Sequence, residues 1–204
     1  LHYPLRRQRQ MCIRDRLEQL LVNAAASRER GIGGIKLKVG QPDHALDIRR
    51  VEAVRKHLGD EVPIMIDANQ QWDRPTAQRM CRVFERFNLV WIEEPLDAYD
   101  YEGHAALAAH FDTPIATGEM LTSAAEHGEL IRHRAADYLM PDAPRVGGIT
   151  PFLKIAAQAE QAGLSLGPHF AMELHVHLAA AYATEPWVEP VSYTHLTLPT
   201  KRIV

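Results

Sequence analysis

The sequence predicts an α/β fold, an incomplete (β/α)8 TIM-type barrel, from three observations. Short apolar, β-branched runs alternate with helical stretches at a steady spacing of about 24 to 28 residues. The runs are apolar on both faces, as in a parallel sheet covered by helices. Ionisable residues recur where the runs end, which is where such barrels carry their chemistry. An open doubly wound sheet shares the first two features. No Gly-x-Gly-x-x-Gly follows a strand, so its dinucleotide fingerprint is absent.

Leu17–Arg30 reads as an opening helix. Gly31-Ile32-Gly33-Gly34 precedes a strand rather than a helix, which makes it a turn and not a phosphate cradle. Strands are predicted at Ile35–Val39, Pro63–Ala68, Leu89–Glu93, Pro114–Thr117, Tyr138–Met140, Leu164–Gly167 and Trp187–Val188, each before a loop with Gly, Pro or Asp. Between them Asp43–Leu58 carries Ala45, Leu46, Ile48, Val51, Ala53 and Val54 at helical spacing. Further helices are predicted over about 74–87, 101–110, 123–133, 149–161 and 171–183. A complete barrel needs roughly 250 residues. Strand one and the final helix are therefore expected to be missing.

Composition narrows the class. With 46% hydrophobic and 24% charged residues, 204 residues can build a sizeable core. Apolar runs fall far short of the roughly 18 to 20 residues of a membrane span, and residues 1–16 lack the apolar segment of a signal peptide. Two cysteines, Cys12 and Cys81, give no disulfide framework and point to a reducing, cytoplasmic setting. A net charge of −3 argues against a nucleic-acid partner.

The two ends stand apart. Residues 1–16 hold five Arg and one Asp, and 191–204 hold one Lys, one Arg and no acid. Met11-Cys12-Ile13-Arg14-Asp15 can be encoded by a DNA string whose reverse complement translates as Val191-Ser192-Tyr193-Thr194-His195. A peptide and its antisense translation flanking one insert resemble translated sequencing-adapter ends. Residues 1–16 and 191–204 are therefore read as non-native tails, and 17–190 as a partial barrel domain.

Polar groups gather at the predicted carboxyl ends: Lys36 and Lys38, Asp67 and Asn69, Glu93 and Glu94, Glu119, Asp142, His169 and Glu189. Asp67, Glu93 and Glu119 repeat every 26 residues, the period of the unit, so they converge on one side of the rim. Three converging carboxylates repel unless a cation neutralises them, and an all-oxygen set suits Mg2+. Lys36 and Lys38 are two apart on one strand and share a face. Near a second lysine and a metal, a barrel-lining Lys acquires a lowered pKa and can act as a base. Asp142 and His169 end consecutive strands, and the Asp can hold one ring nitrogen and leave the other facing the centre. Lys38 and His169 then face each other across a bound substrate. His175 and His177 fall on a helix where i and i+2 diverge, and read as structural or surface residues. His104, His110, His127 and His133 take the same reading.

These residues resemble the enolase superfamily, mandelate racemase subgroup. The resemblance rests on Lys36-Leu37-Lys38, Asp67-Ala68-Asn69, Trp91-Ile92-Glu93-Glu94-Pro95, Thr117-Gly118-Glu119, Pro141-Asp142-Ala143 with Gly147-Gly148, and the loop around His169. It implies Asp67, Glu93 and Glu119 as Mg2+ ligands, Lys38 and the His169–Asp142 dyad as acid and base, and Lys36 beside Lys38. It implies Glu189 as a carboxyl donor to the enolate oxygen, and Asn69 and Lys36 in substrate contact. Within the subgroup, Asn69–Arg74, Pro95–Asp100, Asp142–Gly148 and Pro168–Glu173 are most similar to acid-sugar dehydratases acting on galactarate and L-talarate. The implied reaction abstracts the proton α to a carboxylate, stabilises an enediolate with metal, and eliminates β-hydroxyl as water to give a keto-deoxy acid.

The resemblance implies an N-terminal capping domain, which these 204 residues are expected to lack. The chain as given is therefore expected to be inactive, and the intact protein, by analogy, a homo-oligomer. Two other readings are a racemase or epimerase of 2-hydroxy acids on the same scaffold, and an inactive barrel remnant. Sequencing the source DNA across Arg16/Leu17 and Pro190/Val191 is expected to show the natural frame continuing past both junctions. Genuine tails in that DNA favour the remnant.

Overall fold

The computed structural model describes residues 9–12, 17–182 and 186–189. Seven parallel strands run in chain order: β1 (Arg9–Cys12), β2 (Gly34–Lys38), β3 (Ile64–Asp67), β4 (Ile92–Glu93), β5 (Ile115–Thr117), β6 (Tyr138–Leu139) and β7 (Ser165–Leu166). Helices follow each one: α1 (Leu17–Glu29), α2 (His44–Leu58), α3 (Arg74–Phe84), α4 (Tyr101–His110), α5 (Ala124–His133), α6 (Ile149–Gln161) and α7 (Met172–Ala179). None of the described helices is long and apolar enough to cross a membrane.

Most predicted elements are present: α4 and α6 have their predicted bounds, β2 lies one residue earlier, and the others are shortened at their ends. The helix expected over 74–87 breaks after Phe84 into a 3-10 turn, Glu85–Phe87, which ends on left-handed Asn88. Trp187–Val188 makes a single bridge rather than a strand, its Trp187 N–H donating to Leu166 O at 3.2 Å. The expectation that a strand before α1 is missing is not met. Arg9–Cys12 pairs with β2 from Arg9↔Gly34 to Cys12↔Leu37. An edge strand offers a row of free N–H and C=O groups, and an extended tetrapeptide satisfies them. Residues 1–8, 13–16, 183–185 and 190–204, with most of both tails, lie outside the described residues.

Side chains sort by strand parity. Ile35, Leu37, Ile64, Ile66, Ile92 and Ile115 pack with Leu20, Val51, Val54 and Phe84 of the helices. Leu139 and Leu166 do the same with Phe152 and Ile155. The opposite parity supplies a separate cluster of Met65, Trp91, Ala116, Met140 and Trp187, which fills the lumen below the site. Gly34 is small because Trp187 stands there; a Cβ on Gly34 would lie 3.0 Å from its ring. This contact shows the sheet curling until β2 and the 186–189 segment face each other.

Helix starts follow one device. Asp43, Asp73, Asp100 and Ser123 each accept a backbone N–H of the first turn and cap α2 to α5. At the opposite end of the barrel, Arg55 of α2 is buried and donates to the carbonyls of Phe87, Gly59, Asp60, Val62 and Asn88. One guanidinium thereby ties the loops before β3 and β4. Arg55→Ala is expected to destabilise the fold by about 3 kcal/mol in urea titrations, because it strands buried carbonyls. Arg55→Lys should recover less than half, since an ammonium cannot span both loops.

Candidate active site

The register places the site. Lys38 pairs with Asp67, Asp67 with Glu93, and Glu93 with Ala116, so one row of lumen positions crosses β2 to β5. On β5 that row holds an alanine. The third carboxylate comes from Glu119, two residues beyond Thr117, which reaches back on the β5–α5 loop. Asp67, Glu93 and Glu119 are all buried, and one oxygen from each lies within 4.8 Å of the others.

The lysines stand on one flank. The Lys36 ammonium is 2.5 Å from Glu93 Oε1, 2.8 Å from Glu189 Oε1 and 3.4 Å from Asp67 Oδ2. Lys38 donates to Asp67 Oδ2 and keeps 17% of its side chain exposed, whereas Lys36 is sealed. Burial pushes the Asp67 carboxyl up, but Lys36, Lys38 and the Asn69 N–H outweigh it and hold it below the usual range. Trp91 Nε1 donates to Glu93 Oε2 at 2.9 Å from inside the lumen.

The opposite flank holds the dyad. Asp142 and His169 each lie three residues beyond the last residue of β6 and β7. His169 Nδ1 is 2.9 Å from Asp142 Oδ2, and its Nε2 lies 3.5 Å from Glu119 Oε2. Burial disfavours the imidazolium, yet the Asp142 bond and the fields of Glu119 and Glu189 prevail, so the His169 pKa sits above 6.5. Asp142 is steadied by the Arg145 N–H at 3.0 Å, and the next residue, Ala143, donates its N–H to His175 Nε2 at 3.1 Å.

The structure brings the predicted residues together around the trio. Glu189 is buried and joins the two flanks, with Oε1 on Lys36 and Oε2 accepting the Phe170 N–H at 3.2 Å. Asn69 is half-buried and left-handed, and its N–H donates to Asp67 Oδ1 at 2.8 Å. Sequence reasoning named Glu94, Trp91 and Thr117 without giving them a role, and read His175 as a structural or surface residue. Glu94 follows the Glu93–Ala116 pair, has a positive φ of 44°, and accepts from Thr117 Oγ1 and the Gly118 N–H. Burial, reinforced by Glu119, pushes the Glu94 carboxyl up to about 8. His175 signals itself only in space, stacked on Phe152 beneath the Asp142 loop.

The donor set fits a hard divalent cation. Asp67, Glu93, Glu119 and Glu189 bring four carboxylates to two ammonium groups, Lys36 and Lys38, an excess of two negative charges. Glu119 Oε2 is buried without a hydrogen-bond partner. Buried carboxylates in excess of their cations are costly unless a metal compensates.

A parallel βα barrel with an anionic, all-oxygen cluster between a lysine pair and a His–Asp dyad defines the class. The chain belongs to the enolase C-terminal domain-like family, whose profile matches residues 19–203. It is 68% identical over 173 residues to the L-talarate/galactarate dehydratase of Salmonella typhimurium, covering 85% of this chain and 44% of that protein. It is 31% identical over 185 residues to the N-succinyl-L-Arg/Lys racemase of Bacillus cereus, covering 90% and 50%. Among solved structures it superposes with a TM-score of 0.88 on L-talarate dehydratase from Polaromonas sp. JS666 complexed with Mg and L-glucarate, at 80% identity over 90% of this chain and 52% of that one. The chain thus spans about half the length of these relatives.

Because Asp142 holds the imidazolium, Asp142→Asn is expected to lower the His169 pKa in an NMR titration of the imidazole. A pKa that stays in place would mean that Glu119 and Glu189 alone raise it.

Proposed function

We propose that the intact protein is a Mg2+-dependent acid-sugar dehydratase acting on aldarates such as galactarate and L-talarate. The observation that carries this reading is a buried carboxylate trio with a lysine pair on one flank and a His–Asp pair on the other. The Salmonella and Polaromonas relatives support the substrate class. Asp67, Glu93 and Glu119 would hold the ion, and Mg2+ bound there supplies positive charge to a substrate carboxylate, making its α C–H more acidic.

The side chains of this chain do the rest. Lys38 or His169, according to the stereochemistry at the α-carbon, takes the α-proton. The C–H electrons become a Cα=Cβ bond as the β C–O bond breaks. The group opposite donates a proton to the departing hydroxyl, which leaves as water. The resulting enol tautomerises to a 2-keto acid. Asp142 keeps His169 oriented, with Nε2 toward the trio. Lys36 adds fixed positive charge where negative charge develops, and Glu189 holds Lys36 in place and offers a carboxyl group toward the same centre. Asn69 lies at the rim to contact substrate. Two cysteines and the absence of a described membrane helix support a cytoplasmic setting, and the intact protein is read as a homo-oligomer with 17–190 as its native part.

Groups on both flanks also serve epimerisation, and the racemase relative supports that second reading. The expected outcome is that the full-length protein, with Mg2+, converts galactarate or L-talarate to a semicarbazide-reactive keto-deoxy aldarate. Lys38→Met and His169→Asn should each lower kcat by about 10²- to 10⁴-fold. Deuterium in recovered substrate from D2O without keto product would instead show epimerisation. No product with any aldarate and no Mg2+ binding in calorimetry would support the inactive remnant.

A further inference from the structure

Glu94 lies outside the carboxylate trio, yet the segments that carry the trio meet on it. Its N–H donates to Ala116 O at 2.9 Å, and its carbonyl accepts the Gln70 N–H at 2.7 Å. Its side-chain Oε1 accepts both Thr117 Oγ1 at 2.5 Å and the Gly118 N–H at 3.0 Å. Gln70 follows Asp67 by three residues, and its own Oε1 accepts the Ala98 N–H at 3.0 Å. Thr117 and Gly118 immediately precede Glu119, and Glu93 immediately precedes Glu94. One residue therefore connects the chain segments of all three carboxylates.

The loops it joins are not in relaxed conformations. Asn69, Gln70 and Glu94 have φ of 45°, 63° and 44°, a region that residues other than glycine adopt at a cost. Such a backbone keeps its shape only while its partners hold it. Gly118 is also enclosed from its other side by His127 of α5; a Cβ there would stand 3.2 Å from Nε2. Glu94 is fully buried, so water does not compete for the Thr117 and Gly118 donors.

We propose that Glu94 is a positioning residue for the metal site: its hydrogen bonds to Thr117, Gly118 and Gln70 set the spacing of Asp67, Glu93 and Glu119 and thereby the affinity for a divalent cation. The inference rests on the metal reading given above. A carboxylate cage binds strongly when its oxygens are already placed, and loss of an outer contact that orients ligands costs 10- to 100-fold in affinity. A contribution through charge alone is the competing account. Glutamine separates the two, because it keeps the shape and the Oε1 acceptor and cannot carry a charge.

The test is Mg2+ binding to the 204-residue chain by calorimetry, for the unsubstituted protein and for Glu94→Gln, Glu94→Ala, Thr117→Val and Thr117→Ser, with far-UV circular dichroism confirming that each is folded. Glu94→Ala is expected to weaken binding about 10- to 100-fold, whereas Glu94→Gln stays within about threefold. Thr117→Val should weaken it about three- to tenfold, and Thr117→Ser should restore it; this pair decides the matter if Glu94→Ala does not fold. Unchanged affinity in Glu94→Ala or Thr117→Val overturns the inference. So does a Glu94→Gln as weak as Glu94→Ala, since charge would then be the cause. An unsubstituted chain that binds no Mg2+ overturns the metal reading and this inference with it, whereas normal binding with unaltered variants overturns this inference alone.

Discussion

Four carboxylates share one lumen with two ammonium groups, and this charge balance governs the arrangement of the upper barrel. Burying an unpaired carboxylate is expensive, so each must be matched by a cation or by hydrogen-bond donors. Lys36 meets this demand most fully, touching Asp67, Glu93 and Glu189 from a position closed to water. Lys38 neutralises Asp67 at the rim and keeps part of its side chain in solvent. The excess negative charge leaves a place for a hard cation among oxygens that are already gathered.

The lower barrel supplies the support that such a cluster needs. Met65, Trp91, Ala116, Met140 and Trp187 fill the lumen beneath the carboxylates. Tight packing there keeps water out and fixes the strands on which the charged row is mounted. Trp91 does both tasks, packing in this layer against Tyr138 and Trp187 while its Nε1 donates to Glu93. His175 acts similarly under the Asp142 loop, where it accepts the Ala143 N–H. The charged site therefore stands on a layer that is apolar except where a donor is required.

The two flanks differ in chemistry as well as in place. One presents ammonium groups paired with carboxylates, and the other an imidazole whose charged form Asp142 favours. Under the proposed function a substrate carboxylate near the trio would have Lys38 toward one face and His169 toward the other. Racemisation needs a second group to return the proton, and dehydration needs it to protonate a departing hydroxyl. Under the proposed function the same arrangement would serve both, and the choice between them would depend on whether the substrate carries a β-leaving group.

Much of this was legible in the amino-acid sequence, because both signals involved are periodic. The βα repeat follows from runs of β-branched residues at a fixed spacing, and the trio from acids spaced by 26 residues. Lys36 and Lys38 share a face because a strand has a period of two. Strand parity, however, predicts a side chain's direction only while the backbone stays extended. Glu94 leaves that regime at a φ of 44°, and its side-chain partners are Thr117 at the end of β5 and Gly118 just beyond it. Glu119 shares the 26-residue spacing but not the row, since Ala116 occupies that position on β5. The pairing of Lys36 with Glu189 across the lumen requires the sheet to curl first. The sequence by itself determined which residues reach the rim, through periodicity within single elements. Tertiary structure alone decided which of them touch, because those contacts join strand ends far apart in the chain and depend on curvature and loop conformation that no local pattern encodes.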